Sequence, residues 1–189
     1  GDSEVPKDEE SEKIWHSLGV TDIKYAGRKD NFWGPTGSEG PCGPTTEIYV
    51  EGYDGKTVEV WNIVFNEYYC SSDKSLRKIE APGVDTGMGL ERLAMVVQKK
   101  PSIFETDLFT PIFKNLPSDM DEKTKRVFAD HARGICFLIS DGVRPSNKEA
   151  GYILRRLIRR LIAYRAEINL KKLFEVIVGE YGKFYKELN

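Results

Sequence analysis

A glycine-rich turn between a predicted strand and a predicted helix is the segment of this sequence best suited to chemistry. The turn is Gly87-Met88-Gly89, and Arg92 follows one turn into the predicted helix. Glycine lets the backbone approach a ligand closely, and a helix N-terminus offers unpaired amides and a partial positive charge to an anion. An arginine there adds a fixed cation whose planar fork suits phosphate or stacks on a base. The pattern indicates a nucleotide site, and a plain tight turn is the alternative interpretation.

Two polar side chains lie at apolar strand positions near this turn. Asp85 ends an apolar strand, where a carboxylate is costly unless it meets a partner such as a substrate ammonium group. Asn62 lies between Trp61 and Ile63, and its amide both donates and accepts hydrogen bonds. The alternatives are that Asp85 caps the next helix and that Asn62 is a satisfied core amide. Trp33 and Trp61 offer flat walls to a purine or a small apolar pocket, unless they are ordinary core aromatics.

A basic helix predicted over residues 147–168 is the second candidate site. Its arginines form two adjacent rows with four-residue spacing, and they are Arg155, Arg156, Arg159 and Arg160. Nucleic-acid phosphate would neutralise the repulsion between them, whereas pairing with Glu149 or Glu167 is the alternative. Asn147 lies at the N-terminal end of this helix, where the bland interpretation is a helix cap.

The elements that must position these residues predict an α+β chain. An antiparallel β-sheet piece is expected over residues 1–100 and a helical piece over 101–189. The first piece has a helix at 8–18, a segment at 31–44 too rich in Gly and Pro for helix or regular strand, and a hairpin of strands 45–51 and 57–69 around Asp54-Gly55. A polar loop at 70–78, a short strand at 83–86 and a helix at 90–98 follow. The second piece has helices near 106–116, 122–140, 147–168 and 170–188.

Composition narrows the class of protein. The 189 residues are 40% hydrophobic, which is enough for a sizeable core, and the net charge is only -2. Contact with nucleic acid must therefore come from a local patch. Three distant cysteines and two histidines form no disulfide framework and no zinc-ligand spacing, so no metal site built by the protein is expected. No signal peptide or membrane-length apolar run occurs, which predicts a cytoplasmic protein with no membrane partner.

The residues from Asp85 to Arg92 resemble the third class-defining motif of class II aminoacyl-tRNA synthetases, in the form found in the alanyl-tRNA synthetases. Other segments resemble the same subgroup in the same order: Asn31-Phe32-Trp33 with Gly40-Pro41-Cys42-Gly43-Pro44, residues 45–49, Trp61-Asn62-Ile63-Val64-Phe65-Asn66, Asp130-His131-Ala132-Arg133, residues 141–147, and residues 151–156 with Arg159-Arg160. The resemblance covers about residues 8–165. It implies the later part of a class II catalytic domain over 1–100 and a helical tRNA acceptor-stem recognition region over 101–189.

The resemblance also implies a reaction and roles. L-Alanine and ATP, with Mg²⁺ assisting, would give alanyl-adenylate, whose alanyl group then passes to tRNA(Ala) without a covalent enzyme nucleophile. Asn62, Val84, Asp85 and Gly87 would bind alanine, with Asp85 on its ammonium and Asn62 near its carboxylate. The ATP-binding set would be Trp33, Glu59, Val60, Trp61, Gly89 and Arg92. The tRNA-binding set would be Asn147, Arg155, Arg156, Arg159 and Arg160, with Asn147 on the minor-groove face of a G·U pair.

The match has gaps that limit the expected activity. Neither the family's first motif nor the ATP-binding arginine of its second motif is found upstream of residue 30, so we expect a fragment that binds ligands weakly and aminoacylates poorly or not at all. A non-catalytic RNA-binding relative, a class II-like ligase for another small acid and a structural helical protein are the alternatives. The presence of Asp85, Asn62 and Arg92 favours the synthetase.

Overall fold

The computed structural model describes residues 1–53, 55–164 and 168–189. They form two compact units, Gly1–Lys99 and Lys100–Asn189. The first unit carries all the strands found among these residues, and the second is helical. The α+β class expected from the sequence is therefore confirmed.

An antiparallel meander of four strands forms the first unit, in the order β1 (Phe32–Trp33), β2 (Gly40–Glu51), β3 (Thr57–Cys70) and β4 (Leu76–Met88). The β2–β3 ladder runs from Gly40 opposite Cys70 to Glu51 opposite Thr57. The predicted hairpin is confirmed, although Asp54 of its turn lies outside the described residues. β4 is one edge of the sheet, and most of its residues are exposed.

Two sequence expectations about this sheet are wrong. Residues 31–44 were expected to exclude regular strand, yet they contain β1 and the start of β2. At Gly43 the strands approach so closely that an added Cβ would lie 1.6 Å from the carbonyl oxygen of Phe65. Glycine at this position therefore permits strand pairing that a larger residue would block. The polar loop expected at 70–78 is a tight turn in which Lys74 has φ 71°, so β4 begins at Leu76 instead of Gly83.

The helices of the first unit agree with the sequence. α1 spans Glu9–Ser17, and the Asp8 side chain caps it by accepting from the Ser11 amide. α2 spans Leu90–Val97, directly after the glycine turn. The Trp15 indole of α1 donates to Thr46 Oγ1 at 3.0 Å, which ties α1 to β2.

The second unit packs its helices around a core that includes Phe109, Ile112, Phe128, Leu154 and Ile177. Its helices are α3 (Thr110–Phe113), α4 (Glu122–Ser140), α5 (Glu149–Ala163) and α6 (Leu170–Tyr181), with short 3₁₀ turns at Ile103–Glu105 and Lys186–Leu188. α4 has the predicted bounds because Asp121 caps it by accepting from the Thr124 amide.

Three helix predictions in this unit need adjustment. The helix expected at 106–116 is four residues long, because Pro111 at its start has no amide hydrogen to continue a helix from upstream. α5 begins at Glu149 instead of residue 147 and ends at Ala163, and residues 165–167 of the predicted span lie outside the described part. The helix expected at 170–188 ends at Tyr181, before Gly182.

Candidate active site and nucleic-acid interface

The register of the sheet places Asn62 and Asp85 on one face. Asn62 pairs with Gly87, and Val64 pairs with Asp85. Successive side chains of a strand alternate between faces, so Asn62, Asp85 and Gly87 share one face. The β2 partner of Asn62 is Glu47, which lies on the same face. We call the face that carries these four residues the polar face.

Glu47 is the centre of a hydrogen-bond cluster on the polar face, and sequence reasoning did not single it out. Its carboxylate accepts from Asn62 Nδ2 at 3.0 Å and from the Tyr49 hydroxyl at 2.5 Å. The bond to the Glu47 carboxylate, with a smaller contribution from partial desolvation of the hydroxyl, raises the pKa of Tyr49 from 10.0 to about 12. Tyr49 is therefore a protonated donor throughout the neutral range. Asn62 Oδ1, in contrast, is buried and has no partner among the described residues.

A β-bulge connects this cluster to Arg92. Ile48 pairs with Trp61 but Tyr49 pairs with Glu59, so Val60 is the extra residue in β3. The bulge turns Glu59 toward the polar face beside Tyr49. The Arg92 guanidinium donates to the Glu59 carbonyl at 3.0 Å and lies 3.5 Å from its carboxylate. The glycine turn is fixed by the Gly89 amide, which donates to the Val60 carbonyl at 3.1 Å.

Asp85 is open to ligands. Gly89, not Asp85, is the N-cap residue of α2, and no side chain caps this helix, which excludes the capping alternative. Asp85 is exposed, and no hydrogen bond or ion pair engages its carboxylate within the described ranges. Gly83 and Gly87 flank it on the same face, and an added Cβ at either glycine would meet no atom within 4 Å. The space around the carboxylate is therefore large enough for a small ligand.

Three other candidate residues are not brought into this cluster. Val84 pairs with Phe65, so its side chain lies on the opposite face from Asp85. Trp61 is also on that opposite face, where its indole donates to Thr86 Oγ1 at 2.5 Å. Trp33 lies on β1, which β2 and β3 separate from the strand of Asp85. The nucleotide-facing roles expected for the two tryptophans stay predictions.

Neither a metal centre nor a membrane span is found in the described part of the chain. Over residues 1–53, 55–164 and 168–189, His, Cys, Asp and Glu side chains form no group of three or more that could hold a metal ion. No helix among these residues is long and apolar enough to cross a bilayer.

The second unit presents the basic helix as expected. Gly151, Leu154 and Leu161 are the buried residues of α5, whereas its arginines are exposed at Arg155, Arg156, Arg159 and Arg160. Arg156 lies over the Tyr152 ring, with 5.8 Å between the guanidinium carbon and the ring centroid. None of the four arginines forms an ion pair within the described residues, and Glu167 lies outside them. Glu149 does not pair with them, so their charge faces solvent.

Asn147 is not a helix cap. Lys148 occupies the N-cap position of α5, without a side-chain cap bond. Asn147 Oδ1 instead accepts a hydrogen bond from the Arg155 guanidinium. The Asn147 Nδ2 group therefore points away from that contact. The lack of a side chain at Gly151 allows the preceding loop to pack closely against α5, because an added Cβ would lie 2.3 Å from Ser146 Oγ and 2.5 Å from the Arg144 carbonyl oxygen. The Arg155 contact explains how Asn147 is oriented beside the basic helix.

Comparison with known proteins adds relatives that match along the whole chain. A family model described as tRNA synthetases class II (A) matches residues 3–189. An alanine–tRNA ligase of Borreliella afzelii (strain PKo) is 39% identical over 219 residues, covering 100% of this chain and 37% of that protein. One from Rubrobacter xylanophilus (strain DSM 9941) is 41% identical over 226 residues, covering 100% of this chain and 26% of that protein. The chain spans roughly a quarter to a third of the length of these two curated relatives.

Proposed function

Because the chain belongs to the class II (A) tRNA synthetase family, we propose that it forms the alanine and adenylate site of an alanine–tRNA ligase and part of its tRNA contact surface. The reaction joins L-alanine to ATP, releases pyrophosphate and then transfers the alanyl group to tRNA(Ala). The whole reaction belongs to a longer protein, of which this chain supplies the residues described above. A cytoplasmic location stays a prediction from the sequence.

The observation that carries this proposal is the polar face of the sheet. Asp85 is an exposed carboxylate without a partner among the described residues, and Gly83 and Gly87 keep the space around it open. A carboxylate in this setting suits the ammonium group of a small amino acid, since a charge-assisted hydrogen bond is about twice as strong as a neutral one. The open space beside Gly87, where an added Cβ would meet no atom within 4 Å, accommodates the methyl side chain of alanine.

The nucleotide part of the proposal rests on Arg92 and on the start of α2. The Arg92 side chain is 53% exposed while one of its nitrogens is anchored on Glu59, so the remaining donors face outward. The Gly89–Leu90 junction opens α2 with no side-chain cap, which leaves amides for an anion. Adenylate formation needs positioning and charge stabilisation of this kind, and no covalent enzyme nucleophile. Mg²⁺ would come with the ATP phosphates and not from a protein cage.

Calorimetric titration with a non-hydrolysable alanyl-adenylate analogue tests the site. Asp85→Asn keeps the shape and removes the charge, so we expect its affinity to fall roughly tenfold to hundredfold, the worth of one hydrogen bond to a charged group. Glu80→Gln is the matched control, because Glu80 is an exposed carboxylate on the same strand. It should bind like the unaltered chain. Equal affinity for Asp85→Asn and the unaltered chain would refute the assignment of Asp85.

The proposed tRNA surface is the exposed side of α5 together with Asn147. Phosphates would neutralise the two arginine rows, and the Asn147 Nδ2 group would donate to acceptor atoms in the minor groove of the acceptor stem. An acceptor-stem hairpin of tRNA(Ala), titrated at several salt concentrations, tests this surface. Asn147→Ala should lower affinity for the matching stem much more than for a stem with another base pair at the recognised position. Equal losses for both stems would contradict base readout by Asn147.

A further inference from the structure

Glu47 has a role that the proposed reaction does not itself require, and it follows from the chemistry of its partners. A carboxylate only accepts hydrogen bonds, whereas an asparagine amide has one accepting and one donating end. The 3.0 Å contact from Asn62 Nδ2 to Glu47 Oε1 therefore fixes which way round the Asn62 amide lies. The reverse orientation would place Oδ1 against the carboxylate oxygen, where two acceptors repel each other.

The fixed amide leaves its acceptor without a partner. Asn62 Oδ1 is buried and meets no donor in the described part of the chain. Buried acceptors are satisfied in most native structures, so this oxygen calls for a further donor, such as a ligand or an ordered water. The cross-strand neighbour of Asn62 is Gly87, beside which an added Cβ would find open space. A donor from a ligand is therefore expected to reach Oδ1 from the side of Gly87.

The Glu47 carboxylate is itself held in place. Its second oxygen accepts from the Tyr49 hydroxyl at 2.5 Å, and Thr45 Oγ1 lies 3.5 Å from the first. Tyr49 stays protonated in the neutral range because its pKa is raised to about 12. With donors on both oxygens, the carboxylate has one preferred orientation, and so does the amide that it holds.

From this geometry we infer that Glu47 is a positioning residue, which presents Asn62 Oδ1 as a second acceptor for the substrate ammonium, next to the Asp85 carboxylate. This inference rests on the proposed function. It also changes the role expected for Asn62 from the sequence, because an oxygen facing the ligand suits the ammonium and repels the substrate carboxylate. Glu47 does not touch the substrate; it acts through Asn62.

The test pairs two ligands with three proteins. The ligands are a non-hydrolysable alanyl-adenylate analogue and the same molecule without its amino group. The proteins are the unaltered chain, Glu47→Gln, and Glu51→Gln as the matched control on the same strand, where Glu51 is exposed. Glu47→Gln lets the Asn62 amide turn over, so we expect about tenfold or greater loss of affinity for the amino-bearing ligand. The ligand without the amino group should bind all three proteins alike.

Each other outcome has a distinct meaning. An equal loss for both ligands would overturn the inference, because Glu47 would then serve only the fold, and the proposed function would stand. No loss for either ligand would also overturn it. Failure of the unaltered chain to bind either ligand would overturn the proposed function together with the inference.

A ligand-free measurement covers the case in which Glu47→Gln disturbs the fold. The side-chain amide protons of Asn62 give two resonances in a nitrogen–proton correlation spectrum. Because Asn62 Nδ2 donates to Glu47 in the unaltered chain, both resonances should move in Glu47→Gln and keep their positions in Glu51→Gln. Asn62 amide resonances at the same positions in all three proteins would overturn the inference.

Discussion

Replacing Gly151 by alanine tests how the corner of the second unit that we propose to contact RNA is built. An added Cβ would lie 2.3 Å from Ser146 Oγ and 2.5 Å from the Arg144 carbonyl oxygen, where ordinary contacts are 3.4 Å or longer. The serine has little freedom to move, because its amide donates to the Gly151 carbonyl at 3.0 Å and its hydroxyl to the Lys148 carbonyl at 2.9 Å. The loop before α5 must therefore shift.

The magnitude follows from two opposed effects. Overpacking of this kind costs about 1–3 kcal/mol, and alanine recovers up to about 1 kcal/mol over glycine within a helix. The net expectation is a destabilisation of about 1–2 kcal/mol. For a chain of this length it lowers Tm by roughly 2 to 8 °C. Because Asn147 lies within the loop that moves, affinity for the acceptor-stem hairpin should fall as well.

The free energy of unfolding and Tm of Gly151→Ala are measured by urea and thermal unfolding, with Gly179→Ala as the control. Gly179 is exposed within α6 and has nothing within 4 Å of an added Cβ, so alanine there should stabilise by up to about 1 kcal/mol. The two substitutions are chemically identical and differ only in their surroundings. A Gly151→Ala protein as stable as the unaltered chain, with unchanged RNA affinity, would refute the packing argument.

Three further predictions concern titration and charge. The pKa of Tyr49 is raised from 10.0 to about 12, so its bond to Glu47 should stabilise the fold below about pH 10 and be lost as the pH rises toward 12. Tyr49→Phe should remove a component near pH 12 from the tyrosinate absorbance titration, and an unchanged titration would contradict the raised pKa of Tyr49. Burial raises the pKa of Cys136 from 9.0 to about 11, so its alkylation at pH 8 should be about a hundredfold slower than that of a free thiol, and equal rates would contradict burial. Replacing Arg159 and Arg160 by alanine should reduce the slope of log affinity for the hairpin against log salt by about 2, whereas an unchanged slope would place the phosphates elsewhere.

Local chemistry made much of the fold predictable. Strand alternation on both sides of an Asp-Gly turn predicts the hairpin, and helical patterning predicts the span of α4. The glycine and proline segment at 31–44 was misjudged because strand pairing there depends on Phe65, a partner distant in sequence. Pairing partners of that kind are fixed by the register of the sheet, which single-sequence patterns do not specify.

Candidate site residues can be predicted when their own type and position indicate a role, but not when the role depends on a contact with a residue distant in sequence. Asp85, Asn62 and Arg92 were singled out from their own type and position. Glu47 was missed because its importance comes from its cross-strand contact with Asn62. Simple alternation would place Glu59 on the face opposite Asn62, and only the bulge at Val60 brings it to the polar face.

Asn147 shows the same limit in the second unit. Its position before a predicted helix suggested a cap, but the helix begins two residues later, after Lys148. Lys148 separates Asn147 from the helix, whose first residue, Glu149, has φ 49°, an unusual conformation for a residue other than glycine. The Arg155 contact that orients the amide joins residues eight apart, which helix spacing alone does not predict.

The most direct test of the central claim, that alanine and its adenylate bind on the polar face of the sheet, is chemical-shift mapping with the alanyl-adenylate analogue. We predict that the Asn62 side-chain amide and the backbone amides of Gly87 and Gly89 shift in proportion to ligand, and that the Trp15 and Trp61 indole protons on the opposite face shift least. Shifts concentrated on those indole protons, with the Asn62 and Gly87 signals unmoved, would contradict it.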